Sequence, residues 1–180
     1  VDYVCSDNAA GAELAANQLL RSGCRRFGWL NTLPSTWAGR MRGEAFSRAL
    51  QARGVDIERD LAHLACPEEG YVGGEQAAAL ADEVPEGIFC ANAQLACGFL
   101  DGMRQRGKQA PEDFQLIGFD NTPPTAQYSY QLTTLHQDVA AISRQALARL
   151  LERTADPLQP SRTTWVEVTL IHRRTSPFVI

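Results

Sequence analysis

The chain has no apolar run longer than a strand. A membrane-spanning helix needs roughly 20 apolar residues, so none is expected. Positive charge is scarce: 17 lysines and arginines face 21 aspartates and glutamates, a formal net charge of −4. Binding nucleic acid by bulk electrostatics requires a basic face, which this balance does not provide. The short basic pairs, Arg25-Arg26 and Arg173-Arg174, read as solvated strand ends. No secretory leader opens the chain, since Val1 to Val4 reads as a strand. The five cysteines are odd in number and none has CxxC spacing. Cys5, Cys66 and Cys90 sit in or at the end of strand-like apolar runs, as small buried residues of a reducing compartment do. Both observations point to a cytoplasmic location. The three histidines lack metal-ligand spacing, so no metal site is expected.

Catalytic motifs are missing too. There is no G-x-S-x-G elbow, no GxxxxGK[ST] loop and no H-E-x-x-H pair. Gly70-Tyr71-Val72-Gly73-Gly74 follows a strand but lacks the G-x-G-x-x-G order, so it reads as turn and helix-packing glycines. No catalytic residue and no cofactor is expected.

What is present is a repeating alternation of short apolar runs and helical patterns. Strands are predicted at 1–5, 26–31, 61–66, 87–91, 114–119, 132–135 and a long final 164–173. Helices are predicted from Asp7-Asn8 to about Ser22, over 40–53, from Glu75 to about Glu83, over 94–106 and over 139–153. Gly23, Gly54 and Gly107 stop three of them. Repeated βα units with buried strands predict an α/β fold: a three-layer, doubly wound parallel sheet with helices on both faces. In such sheets ligands bind off the carboxyl ends of the strands.

The stretch FQLIGFDNTPP places Asp120 at such an end, and Asp7 and Asn92 occupy equivalent places after VDYVC and GIFCA. With Asn8, Arg42 and Gln137 they form a polar set suited to sugar hydroxyls or another small polar effector. Arginine donates, aspartate accepts, and amides do both. Each also has an ordinary role: Asn92 as a helix N-cap, Asp120 as an Asx-turn, Gln137 as a helix-start residue, Arg42 as a surface arginine. Trp37 offers a face for sugar stacking or for loop packing.

Four stretches taken in series are similar to one family. They are DNAAGAELAANQLLRSGCRRFGWL from Asp7, RMRGEAFSRALQARGV from Arg40, GIFCANAQLACGFLDGMRQRGKQAPEDFQLIGFDNT from Gly87, and QLTTLHQD from Gln131. Together they resemble the effector-binding core of LacI-type transcriptional repressors, which share the fold of periplasmic sugar-binding proteins. The resemblance implies effector contacts by Arg42, Asn92 and Asp120. It places Gln137 at the lobe crossover and Asp7 and Asn8 near the cleft. Cys24 and Ala93 depart from it, standing where the family usually has His and Asp.

The resemblance also implies a two-lobed, periplasmic-binding-protein-like molecule with a complete second lobe (24–131 and 155–180). The first lobe is expected to be partial (1–23 and 132–154). The DNA-binding headpiece falls outside this chain. The expected function is the effector-binding and dimerisation part of a regulator. A sugar-like effector would bind between the lobes, and operator DNA would be reached only through the headpiece. A homodimer is expected, with the helix over 94–106 and the Tyr128 loop carrying part of its face. The rival readings are a periplasmic sugar-binding protein of the same fold and an enzyme of doubly wound type.

Overall fold

A computed structural model of the protein describes residues 1–180. Its strands are β1 (Tyr3–Ser6), β2 (Phe27–Thr32), β3 (Leu61–Cys66), β4 (Gly87–Cys90), β5 (Gln115–Asp120), β6 (Thr133–Gln137), β7 (Thr163–Val166) and β8 (Val168–Ile171). Its helices are α1 (Asn8–Arg21), α2 (Trp37–Ala52), α3 (Ile57–Asp60), α4 (Gly70–Leu80), α5 (Ala93–Gln105) and α6 (Val139–Ala155). A 3-10 turn spans Pro123–Ala126.

Six strands form one sheet in the order β3-β2-β4-β5-β6-β8. All of its pairings are parallel except β6 with β8, which is antiparallel. Helices α1 and α2 pack together over one face, and α4 and α5 over the other. This is the expected three-layer architecture, and the near-continuous burial of β2, β4 and β5 follows from cover on both sides. Phe89 anchors the α2 face, with ring centroids 5.2 Å from Trp29 and 5.1 Å from Phe46. Phe99 and Phe114 meet edge to face at 5.7 Å under α5.

A second, two-stranded sheet pairs β1 with β7 in parallel, and α6 packs against it. This division differs from the expected boundaries. Strand β6, expected with the first lobe, is hydrogen-bonded between β5 and β8, and α1 packs on α2. Strand β7, expected with the second lobe, pairs with β1. The predicted long final strand is two strands that break at Glu167, each belonging to a different sheet. The unbroken apolar alternation across the break hides it in the sequence.

Two further boundaries moved. Helix α2 starts at Trp37 because the Thr36 hydroxyl caps it, accepting from the Gly39 N–H at 3.0 Å. Helix α4 starts at Gly70, so the glycines read partly as a turn lie inside it. They serve close packing against α5: a Cβ on Gly74 would sit 2.1 Å from the Leu95 carbonyl oxygen, and one on the facing Gly98 of α5 only 1.9 Å from that of Tyr71. No helix is long and apolar enough to cross a membrane.

Candidate functional site

The carboxyl ends of β5 and β6, the start of α1 and the first turns of α2 converge on Arg42. The residue is 7% exposed. The guanidinium Nε donates to Asn8 Oδ1 at 2.8 Å, and Nη1 donates to the Ala91 carbonyl at 2.6 Å. The Arg42 Cζ stands 3.5 Å above the centroid of the Phe119 ring, a cation–π contact. Asp120 Oδ1 lies 3.9 Å from Nη1. Burial lowers the pKa of Arg42, opposed by the nearby Asp120 carboxylate. The group stays charged, because an arginine does not lose its proton in a protein.

Asp120 also accepts a hydrogen bond from Gln137 Nε2. Gln137 Oε1 in turn accepts from the Ser6 hydroxyl at 2.6 Å, so one amide links the end of β1 to the end of β5. The carboxylate is presented by an uncommon backbone. Asp120 has φ 93° and the next residue, Asn121, has φ 52°. Two successive non-glycine residues at positive φ cost on the order of 1–3 kcal/mol each and persist only when their surroundings hold them.

Arg173 supplies much of that hold. Its Nη2 donates to Asn121 Oδ1 at 2.7 Å and its Nη1 to the Leu132 carbonyl at 2.8 Å. Asn121 Nδ2 lies 3.0 Å from His136 Nδ1. The reading of Arg173 as a solvated strand end is therefore corrected: it braces the turn. In the other basic pair, Arg26 does lie exposed, 3.6 Å from Glu86.

The structure thus brings Arg42, Asn8, Asp120 and Gln137 together and adds Ser6, Phe119, Asn121 and Arg173. These additions gave little sequence signal. Ser6 and Phe119 sit beside chosen residues, while Arg173 is distant in sequence. Asn92 caps α5, accepting from the Leu95 N–H at 3.0 Å, and Asp7 caps α1, accepting from the Ala10 N–H at 3.0 Å. Trp37 is 51% exposed and lines a separate aromatic hollow of about 700 Å³ with Tyr3, Met41 and Trp165.

Two polar atoms of the cluster have no hydrogen-bond partner in the chain and are not sealed from solvent: Arg42 Nη2 and Asp120 Oδ2. One donor and one acceptor of the cluster are therefore unused within the chain. Thiol chemistry is disfavoured, since burial pushes Cys24 and Cys97 up to about 11 and raises Cys90 further. A protonated thiol is a poor nucleophile.

The periplasmic binding protein-like domain family matches residues 16–176. The chain belongs to this family. Within it, the chain is a LacI-type core. It is 28% identical over 175 residues to the HTH-type transcriptional repressor PurR of Mannheimia succiniciproducens, which covers 96% of this chain and 52% of the relative. It is 30% identical over 173 residues to the HTH-type transcriptional regulator GalS of Salmonella typhimurium, covering 94% and 50%. Among solved structures, a LacI family transcriptional regulator from Enterococcus faecium with bound ribose superposes with a TM-score of 0.88 at 27% identity. The match covers 98% of this chain and 65% of that one. The LacI-type core described here spans about half the length of these two relatives.

Proposed function

We propose that this LacI-type core binds a small polyhydroxyl effector, a sugar or sugar derivative, at the Arg42–Asp120–Gln137 cluster. The observation that carries the reading is the pair of unpartnered atoms there, Arg42 Nη2 and Asp120 Oδ2. A pyranose or furanose presents adjacent hydroxyls that accept from a guanidinium and donate to a carboxylate. Asn8 holds Arg42 in place, Asp7 and Asn92 set the helix starts at the rim, and Trp37 lies furthest out.

The ligand acts by population shift. Ser6 on β1 reaches Asp120 only through Gln137, so whatever engages that amide changes the coupling of the two sheets. The first lobe is assigned to β1, β7 and α6, and the second to the six-stranded unit. Operator DNA would be contacted by a helix-turn-helix segment outside these 180 residues, as the names of the repressor relatives indicate. A homodimer would match a two-fold operator.

The alternative, a periplasmic sugar-binding protein, is less well supported. The similar proteins are regulators, and five free thiols suit a reducing compartment.

A thermal-shift series with ribose, galactose, glucose 6-phosphate, hypoxanthine and guanine tests the ligand class. A true effector at about 100 times its Kd stabilises by about 2.7 kcal/mol, a rise of roughly 5–10 °C in a chain of this size. A response to a sugar is expected. A response to the purines alone would replace the sugar class with a nucleobase.

A further inference from the structure

Helix α2 has a second polar face. Arg42 points toward β4 and β5, whereas Arg40, Gly43, Glu44 and Ser47 recur at helical spacing on the opposite side. That side overhangs the edge strand β3, and between them lies a groove of about 560 Å³. Its far wall is His63 and Ala65 of β3, and its upper end is closed by Asn31, Leu33 and Ser35.

The floor is Trp29, paired in register with His63. Trp29 is only 7% exposed, yet its indole N–H has no hydrogen-bond partner and is not sealed from solvent. A buried indole N–H usually finds a partner. Gly43 is what lets the helix approach it: a Cβ there would sit 2.6 Å from the indole nitrogen. Above the floor the groove is rich in donors. Asn31 Oδ1 is taken by the Thr32 N–H at 2.8 Å, which leaves the Asn31 amide nitrogen free. Arg40 uses one nitrogen on the Ser35 carbonyl at 2.8 Å and keeps the rest. Glu44 stands between Arg40 and Arg48 in sequence but forms an ion pair with neither. The groove therefore holds two guanidinium groups against one carboxylate, in a chain whose net charge is −4.

We propose that this groove is a second ligand site, separate from the Arg42 cluster, for a small anion rich in acceptor oxygens. Its anionic group, a carboxylate or a phosphate ester, is held by Arg40 and Arg48, and one of its oxygens accepts the Trp29 indole N–H. Guanidinium groups suit both anions because their fork matches paired oxygens.

The test is a titration followed by amide and indole ¹H–¹⁵N correlation spectra of the chain. Citrate and glucose 6-phosphate are the probes, at ionic strength held constant with chloride, and the indole peak of Trp29 is identified from Trp29→Phe. A saturable shift of that peak with at least one probe is expected, with amide shifts clustered at 40–48 and 63–65. Arg48→Ala, an exposed change that leaves the core intact, is expected to weaken binding about tenfold, the loss of one charge-assisted hydrogen bond. Saturation by citrate alone marks a carboxylate site, and by glucose 6-phosphate alone a phosphate site. Three results would overturn the proposal: no saturable indole shift with either probe, an unchanged affinity in Arg48→Ala, or shifts centred instead on 120–121 and 137.

Discussion

At the scale of single residues, Asp120 is asked to do two opposed things. Its carboxylate belongs to the proposed ligand site, and its backbone occupies a region that L residues disfavour. The two demands can be separated by substitution. Asp120→Ala removes the carboxylate but keeps a Cβ at φ 93°, whereas Asp120→Gly removes both. Gly tolerates positive φ at no steric cost. Urea unfolding is therefore expected to find the glycine variant more stable than the alanine variant by about 1 kcal/mol. Equal stability would mean that the turn carries no strain. The sequence reached Asp120, Arg42 and Gln137 because strand-end polarity and family likeness both mark them. It did not reach Arg173, whose hold on Asn121 crosses 52 residues. Such a contact leaves no local pattern, so Arg173 reads as an ordinary basic strand end.

At the scale of elements, helices and strands were largely legible because each carries its own period and stop signals. What was not legible was membership. Nothing in a β-strand's alternation says which sheet it joins, so β7 and β8 merge in the sequence, and β6 groups with α6 rather than β5. Side-chain clusters between elements are equally silent. Asp101 of α5 is one: it accepts from Tyr71 of α4 at 2.8 Å, from Tyr130 at 2.8 Å and from Arg104 at 2.7 Å. The hydrogen bond to Asp101 pushes Tyr71 up to about 12, and burial together with the same carboxylate raises Tyr130. For Asp101, burial alone would raise the pKa, but the three donors outweigh it and hold the carboxyl below its ordinary range.

The signs give a pH dependence. A tyrosine whose folded pKa is raised contributes stability that is complete below its unfolded pKa of about 10. That contribution is lost as the pH climbs through the folded value. Stability is therefore expected to fall between about pH 10 and pH 12, with a shallower fall in Tyr71→Phe, as read by urea midpoints. Asp101 behaves in the reverse sense: its contribution is present at neutral pH and is lost on acidification below about pH 4. A pH profile of Tyr71→Phe identical to that of the unsubstituted chain would contradict the assigned cluster.

At the scale of the whole molecule, a polar seam links two sheets. The six-stranded unit holds the larger core, and β1, β7 and α6 form a smaller unit joined to it through Ser6 and Gln137. The proposed homodimer would place α5 and the Tyr128 loop at its interface, and Tyr128 is 89% exposed in the single chain. Sedimentation is expected to show a dimer that Tyr128→Asp shifts toward monomer, since an unpaired charge is costly in an interface core. A monomer at all concentrations, or a dimer indifferent to that change, would remove α5 and its loop from the interface.

The central claim is that the strand-end cluster is a ligand site and not merely a braced turn. The most direct measurement is a calorimetric titration of the strongest thermal-shift ligand into the unsubstituted chain and into Asp120→Asn. That variant keeps the shape of the side chain and the acceptor oxygen for Gln137, but loses the charge facing Arg42. An affinity at least about tenfold weaker is the expected result, since a charge-assisted hydrogen bond contributes about 1.5–3 kcal/mol. The same affinity in both proteins would mean that Asp120 serves the fold alone and that the effector binds elsewhere.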